Sequence, residues 1–286
     1  MKSILFLLAV LSFVSGCSVK RFAAETTVGV MGPAAQAFNE EGDLEFARAA
    51  MPANLKMMEG LLKSAPGDRD LLTLLARGYC SYAFAFIEES GKVPDLARAK
   101  RMYQRGYRYG LEALPEGVRA NASGDLESFS RAVENTDDVA PLFWSAYCLG
   151  SFVNISKDDV AAVAELSRVE VMMKRILALD ETFYHGSAHL FYGAYYGGRP
   201  KMLGGNQDKA REHLERAIKL TEGKFLMAKL YLAQFVAVSS QDEVLFERTL
   251  KEVIDAPEDV MPDERLANLI VKQRAQALLN KKKDLF

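Results

Sequence analysis

The sequence predicts an all-α protein built from repeated helical hairpins. Apolar residues recur three or four positions apart along most of the chain beyond residue 40, as Leu55, Met58 and Leu62 do, and this is the spacing of one face of a helix. No stretch alternates apolar and polar residues over the length of a strand. With 49% hydrophobic and 26% charged residues, the 286-residue chain has the composition of a globular protein with a sizeable core.

The first sixteen residues have the pattern of an export leader and not of a folded element. Lys2 precedes an apolar run over 4–14 that is too short to span a bilayer with margin. The sequence "VSGC" that follows resembles a bacterial lipobox, in which small residues precede a cysteine that accepts the lipid. We therefore expect a lipoprotein signal peptide over 1–16 and lipid attachment at Cys17, with a plain secretory signal as the alternative. Ser18 in place of an aspartate favours the outer membrane over the inner.

The remainder divides into a short linker and one helical domain. We expect a lipidated N-terminal linker over 17–40 and a helical-hairpin repeat domain over 41–286. Pro52 falls early in the first helical run and indicates a kink or a fresh helix start. Pro66 and the glycine after it end that run.

The stretch over 71–89 is apolar nearly all round, and two structures can produce such a pattern. A membrane span would need an uncharged run, but Arg77 lies in the middle and Glu88 and Glu89 close it. A helix buried in a protein core is therefore the prediction.

The helices repeat as loose pairs. In each pair a helix with an aromatic residue in its second half is followed by one rich in alanine and leucine with charged edges. The pairs cover 71–89 with 95–114, 141–154 with 158–179, 184–196 with 207–220, and 225–239 with 243–254. An inserted helix is expected between the first two pairs. The arrangement resembles tetratricopeptide-type hairpins that stack into a compact solenoid; chance pairing of amphipathic helices is the alternative.

Two cysteines follow the leader, and each lies in an apolar helical run. Cys80 occurs in "GYCS" and Cys148 in "AYCL", which suggests a shared slot in the two hairpins. An oxidising periplasm would permit a disulfide between them. Buried free thiols are nevertheless the prediction, because unpaired cysteines commonly occupy such apolar positions.

Charge and motifs exclude several function classes. The formal charge is −2 and no basic face dominates, so no nucleic-acid partner is expected. His185 and His189 share a helix face, but no third ligand is evident and no metal or other cofactor is expected. The chain has no Gly-x-Ser-x-Gly motif. We predict that it is not an enzyme, with an envelope hydrolase as the competing hypothesis.

The stretch "YYGGRPKMLGGNQDKA" over 195–210 raises the question of a phosphate-binding loop. A Walker loop needs Gly-Lys-Ser or Gly-Lys-Thr after a strand. Here Asn206 follows the second glycine pair and a helix precedes the loop. The prediction is a glycine-opened bend that ends at Asn206, a good N-cap for a helix from Gln207.

The segment "GGRPKMLGGNQDKAREHLERAI" resembles the motif of the TatT family, the lipoprotein T component of periplasmic TRAP transporter systems. The shared features are the glycine-rich loop, Lys-Ala near the helix start and the following His-Leu-x-Arg-Ala. Segments over 51–62 and 75–88 extend the resemblance, which covers about 35–254. It implies a periplasm-facing lipoprotein that associates with a TRAP-type solute-binding protein and forms homotrimers. A scaffold lipoprotein for an envelope assembly, without a ligand, is the alternative.

Aromatic residues concentrate in the first helices of the hairpins, which in stacked hairpins line the concave side or a channel. We predict that six of them contact a small organic or amphiphilic ligand: Tyr79, Tyr82, Trp144, Tyr147, Tyr192 and Tyr196. Arg199 and Lys201, in the glycine-rich loop, are the predicted contacts for the partner protein. Solvation of the loop explains these two charges equally well.

Overall fold

The computed structural model describes residues 31–286, and the predicted leader and Cys17 lie outside this range. The described chain is helical and contains no strand, which confirms the all-α prediction. The tetratricopeptide-like solenoid stays a prediction. The α-helices are α1 (Met31–Asn39), α2 (Leu44–Leu62), α3 (Arg69–Phe86), α4 (Val93–Ala113), α5 (Glu116–Asn121), α6 (Leu126–Glu134), α7 (Val139–Asn154), α8 (Val160–Ala164), α9 (Leu166–Leu179), α10 (Phe183–Gly197), α11 (Gln207–Leu220), α12 (Met227–Tyr231), α13 (Glu243–Ile254), α14 (Arg265–Asn280) and α15 (Lys282–Leu285).

The helices of each of the four predicted pairs pack against each other. These are α3 with α4, α7 with α9, α10 with α11, and α12 with α13; α12 continues as a π-helix over Leu232–Ala237. Helix α4 also packs against α7 and so joins the first pair to the second. The inserted segment between these pairs holds two short helices, α5 and α6, where one was expected.

Short polar side chains cap several helices, and Asn206 does so as predicted. Asp43, Asp68 and Asn206 each accept a hydrogen bond from a backbone N–H in the first turn of α2, α3 and α11, which satisfies a donor that has no partner within the helix. Pro52 lies inside α2 without ending it. Part of the expected linker, 17–40, forms α1.

The two ends of the described chain meet. Helix α14 packs on α12 and α13 and also contacts α1 and α2. Arg274 of α14 donates to the carbonyl oxygen of Phe84 at 2.5 Å and pairs with Glu88 at 3.1 Å. Tyr103 of α4 donates to the other oxygen of Glu88 at 2.5 Å. Helix α14 is therefore held against the first hairpin, and the helices surround an interior space.

Helix α3 is a core helix, as predicted. Leu71, Leu75 and Ala76 are fully buried, and Arg77 is half-buried at the inner face of the helix. Over residues 31–286 no helix is both long enough and apolar enough to cross a bilayer.

The prediction of free thiols is wrong, because Cys80 and Cys148 form a disulfide between α3 and α7. Their Cα atoms lie 5.5 Å apart, within the range that a disulfide can bridge. Both residues are fully buried. Each cysteine was correctly expected in an apolar run, but their separation of 68 residues along the chain gave no sign that α3 and α7 bring them together.

Gly106 of α4 lies directly against this disulfide. A Cβ atom at this position would overlap the Sγ of Cys80 and lie 2.9 Å from the Sγ of Cys148 and 3.0 Å from the carbonyl oxygen of Ala76. The absence of a side chain is what lets α4 approach α3 and α7 at this point.

We expect the disulfide to stabilise the fold. In the chain from residue 18 onward, thiol titration after unfolding should detect no free thiol before reduction and two after it. Replacing both Cys80 and Cys148 by alanine should lower the free energy of unfolding by about 2–4 kcal/mol, measured by urea denaturation. Two reactive thiols without reduction would contradict the pairing.

Substitution of Gly106 should destabilise the protein more than its small volume suggests. We expect Gly106→Ala to lower the free energy of unfolding by about 1–3 kcal/mol, because the core must move to accept the added methyl group. Gly60→Ala in α2 is the matched control, since an added Cβ there meets no atom within 4 Å. It should stabilise the helix by up to about 1 kcal/mol. Equal effects of the two changes would show that α4 does not depend on this close contact.

Candidate functional site

A cavity of about 860 Å³ lies at the centre of the described fold. The first helices of the four pairs, α3, α7, α10 and α12 with its π-helical continuation, contribute its wall, and α1, α2 and α14 complete it. This volume is within the range of about 300–1,000 Å³ that is usual for pockets holding small molecules. The cavity is therefore the candidate ligand site.

Two of the six predicted aromatic residues line this cavity, Trp144 and Tyr147 of α7. Their rings contact each other at 5.6 Å between centroids, and both contact Phe143. Burial raises the pKa of Tyr147 well above its usual value, so its hydroxyl stays protonated and can donate a hydrogen bond.

The other four aromatic residues lie away from the cavity lining. Tyr79 donates to Glu59 at 2.6 Å, and Tyr82 packs on Phe86 with ring centroids 5.5 Å apart. Tyr192 and Tyr196 both stack on the ring of His213, which α11 contributes. Contact of any of the six with a ligand stays a prediction.

The helix period explains this division. Along α10, Ser187, Leu190 and Ala194 face the cavity, whereas Tyr192 and Tyr196 face α11. Both faces carry aromatic or apolar residues, so the sequence alone does not distinguish the cavity face from the face that packs on the next helix.

A left-handed turn shapes the cavity wall at the start of α10. Tyr184, His185 and Gly186 have φ angles of 42°, 62° and 72°, a region that residues with a side chain adopt rarely and singly. The backbone N–H of Gly186 donates to the carbonyl oxygen of Thr182 at 3.1 Å. The turn places Tyr184 in the cavity wall beside Trp144, with ring centroids 4.9 Å apart.

A polar chain crosses the same wall. Arg77 donates to the Oδ1 atom of Asn39 at 2.9 Å, and the Nδ2 atom of Asn39 lies 3.5 Å from Glu264. The Nε2 atom of His185 lies 3.0 Å from the same carboxylate oxygen of Glu264. The guanidinium of Arg77 lies 5.4 Å from the ring centroids of Trp144 and Tyr184. The sequence held one signal of this site, the lone charge of Arg77 within an apolar run.

The glycine-rich stretch is a bend, as predicted, and it borders the cavity. Asn206 caps α11 by accepting from the backbone N–H of Lys209 at 3.0 Å. Arg199 lines the cavity and lies 3.3 Å from the centroid of the Tyr195 ring. Lys201 is exposed and is not part of the lining.

The histidines do not form a cluster of metal ligands. His189 contacts the Nδ1 atom of His213 through its own Nδ1 atom at 2.9 Å, and its Nε2 atom lies 3.3 Å from Glu181. Burial lowers the pKa of both His189 and His213. Among residues 31–286 no group of three or more histidine, cysteine or acidic side chains could hold a metal ion.

Glu59 on α2 is the centre of a second polar cluster, outside the cavity. Tyr79 and Tyr109 donate to its carboxylate at 2.6 and 2.8 Å, Arg105 pairs with it at 2.5 Å, and Lys56 also contacts it. Burial alone would raise the pKa of Glu59. The hydrogen bonds from Lys56 and the two tyrosines, together with the charge of Arg105, outweigh burial and lower the pKa to about 2.

This cluster predicts a specific loss of stability in acid. The pKa of Glu59 is lower in the folded state than its ordinary value of 4.5, so its contribution is present above pH 4.5 and is lost as the pH falls towards 2. In urea denaturation over this range, Glu59→Gln should show a smaller decrease in stability than the wild type. Glu45→Gln, a change at an exposed carboxylate on the same helix, should behave as the wild type. Equal pH dependence of all three proteins would contradict the assignment.

Comparison with known proteins supports the resemblance seen in the sequence. The chain is 23% identical to an uncharacterised protein of Treponema pallidum (strain Nichols) over 308 aligned positions, which cover 95% of this chain and 94% of that protein. Residues 40–286 match the family described as the TRAP transporter T-component. The chain therefore belongs to the TRAP transporter T-component family, a family of transporter components and not of enzymes.

Proposed function

We propose that this protein is a periplasm-facing lipoprotein subunit of a TRAP transporter that binds the solute-binding P component and holds a small organic or amphiphilic ligand. Family membership supports the link to a TRAP transporter. The cavity of about 860 Å³ is the observation that carries the ligand role. A pure scaffold, the competing function, would have no need of such a space.

The composition of the cavity wall favours an apolar or amphiphilic ligand. Aromatic and aliphatic side chains from all four pairs face the space, among them Phe84, Phe143, Phe191, Met227 and Leu230. Burial of apolar ligand surface against such a wall contributes about 25 cal/mol per Å². Sites of this kind use a few polar groups to fix orientation, and the polar chain at Arg77 supplies them here.

The glycine-rich loop is the proposed contact for the P component. Met202 and Leu203 lie at its tip. Met202 is 89% exposed and Leu203 is 64% exposed. These apolar residues stand next to Lys201, and Arg199 and Leu203 also line the cavity. Exposed apolar residues beside positive charges suit a protein partner with acidic residues around an apolar patch. A partner bound there would lie beside the cavity opening.

Export and anchoring belong to the same proposal. The leader and Cys17 would place the protein on the periplasmic side of a membrane, the outer membrane in preference to the inner. The buried disulfide between Cys80 and Cys148 supports an oxidising compartment. The tetratricopeptide-like solenoid and the homotrimer remain part of the proposal and rest on the resemblance.

A capture experiment tests the partner. The chain from Ser18 onward is used as bait in a native periplasmic extract, and bound proteins are identified by mass spectrometry. We expect a TRAP-type solute-binding protein. Reversing the loop charges by Arg199→Glu with Lys201→Glu should reduce its recovery at least about tenfold, because rim charges govern association with a complementary surface.

A matched variant distinguishes the loop from a general charge effect. Arg98→Glu with Arg101→Glu makes the same change of charge at two exposed positions on α4 and should leave recovery unchanged. Equal loss with both variants would indicate a general effect of charge, and full recovery with the loop variant would place the contact elsewhere. Recovery of envelope assembly proteins without a TRAP-type binding protein would replace the transporter role by the scaffold.

A further inference from the structure

The charged residues that line the cavity are unequal in sign. Five are basic and three are acidic: Arg77, Lys157, Arg199, Arg274, Lys281, Glu88, Glu89 and Glu264. The whole chain, in contrast, carries a formal charge of −2. Because a concave apolar wall concentrates the field of the charges along it, the excess of positive charge makes the cavity suited to an anion.

The half-buried and buried acidic residues of the wall already have partners. Glu88 accepts from Tyr103 at 2.5 Å and pairs with Arg274 at 3.1 Å. Glu264 contacts His185 at 3.0 Å and Asn39 at 3.5 Å. The carboxylate of Glu88 therefore offsets the charge of Arg274. Arg274 is for this reason a poor candidate for holding a ligand anion.

Arg77 differs from Arg274 in this respect. Among residues 31–286 no carboxylate lies within 4.0 Å of its guanidinium, although Arg77 is half-buried in a largely apolar wall. Its side-chain hydrogen bond goes to the neutral amide oxygen of Asn39. A guanidinium has five N–H donors in one plane. The donors that Asn39 leaves free can therefore bind an oxyanion from the cavity.

The surroundings hold the guanidinium in place before any ligand arrives. It lies against the rings of Trp144 and Tyr184, 5.4 Å from each centroid, at a distance where a cation is attracted to the face of a ring. Tyr184 is itself fixed by the left-handed turn, with φ of 42°. Backbone strain of this kind is common where a side chain must be held for binding. A preorganised donor loses little conformational entropy when the ligand binds.

We propose that the cavity binds a long-chain amphiphile with a single oxyanion headgroup, a carboxylate or a phosphate monoester, and that Arg77 holds this headgroup. A planar guanidinium can bind either group through two parallel hydrogen bonds. The hydrocarbon chain then lies along Phe84, Phe191 and Leu230. This inference rests on the proposed role of the cavity as a ligand site, and it adds the chemical class of the ligand and the residue that selects it.

The test compares a charged probe with a neutral probe of the same shape. Binding of 11-(dansylamino)undecanoic acid and of its methyl ester to the chain from Ser18 onward, which contains every described helix, is followed by fluorescence. We expect the dissociation constant of the acid to be about tenfold lower than that of the ester. A charge-assisted hydrogen bond typically changes the affinity by about this factor. Displacement of the acid by dodecanoate and by dodecyl phosphate then distinguishes the two headgroups.

Arg77→Met keeps an unbranched side chain out to the position of Nε and removes the charged guanidinium group. It should weaken binding of the acid about tenfold and leave binding of the ester unchanged, and Arg77→Lys should restore part of the preference. Arg98→Met, at an exposed position on α4, is the control and should keep the wild-type preference. Should Arg77→Met fail to fold, the preference of the wild type and of Arg77→Lys decides.

Each contrary result has a distinct meaning. Equal affinity of the wild type for acid and ester would overturn the anionic headgroup and leave the cavity as a ligand site. A preference for the acid that persists in Arg77→Met would overturn the assignment to Arg77. Binding of neither probe would overturn both the inference and the ligand role of the cavity, whereas the partner role depends on the capture experiment.

Discussion

The ion pair between Arg274 and Glu88 joins the two ends of the described chain beside the cavity. It joins the last long helix to the end of α3, and its surroundings exclude most water: 20% of the arginine side chain and 11% of the glutamate side chain are exposed. The guanidinium lies 3.6 Å from the centroid of the Phe84 ring and also binds the carbonyl oxygen of Phe84. Removing one partner of such a pair leaves the other charge buried without compensation. The pair therefore holds α14 against the end of α3, where both helices contribute to the cavity wall.

Close packing of small residues provides the second constraint. Helix α4 packs closely against α3 and α7 at Gly106, and a side chain at Gly110 of the same helix would overlap Ser145. A side chain at Gly193 of α10 would overlap Leu214 of α11. Because each first helix is held so closely on one face, its other face is left for the cavity. The candidate ligand site thus follows from how the pairs pack, and its lining is spread over the whole described chain. Arg77 and Tyr184, which are far apart in sequence, meet only because the pairs are in place.

Much of the fold follows from local patterns, and much of the site does not. Helical periodicity, the cap at Asn206 and the apolar run over 71–89 predict the helices and their order, because each depends on neighbours within a few residues. The disulfide, the left-handed turn at Tyr184 and the face that each helix turns to the cavity depend on contacts between distant segments. Trp144 was predicted from its place in a first helix. Arg77 was noticed as a charge in an apolar run, but its partner Asn39 lies on a helix that was assigned to the linker.

The disulfide also makes one part of the cavity wall more rigid than the rest. It ties α3 to α7, and α4 is packed against both of its sulfur atoms through Gly106. The disulfide and this packing hold the three helices together in the first half of the described chain, whereas no disulfide joins α10, α12 or α14 to them. The disulfide therefore resists a change in the distance between α3 and α7, whereas α10, α12 and α14 are held to the cavity wall by non-covalent contacts alone. A change in cavity shape costs less when it moves these later helices than when it separates α3 from α7.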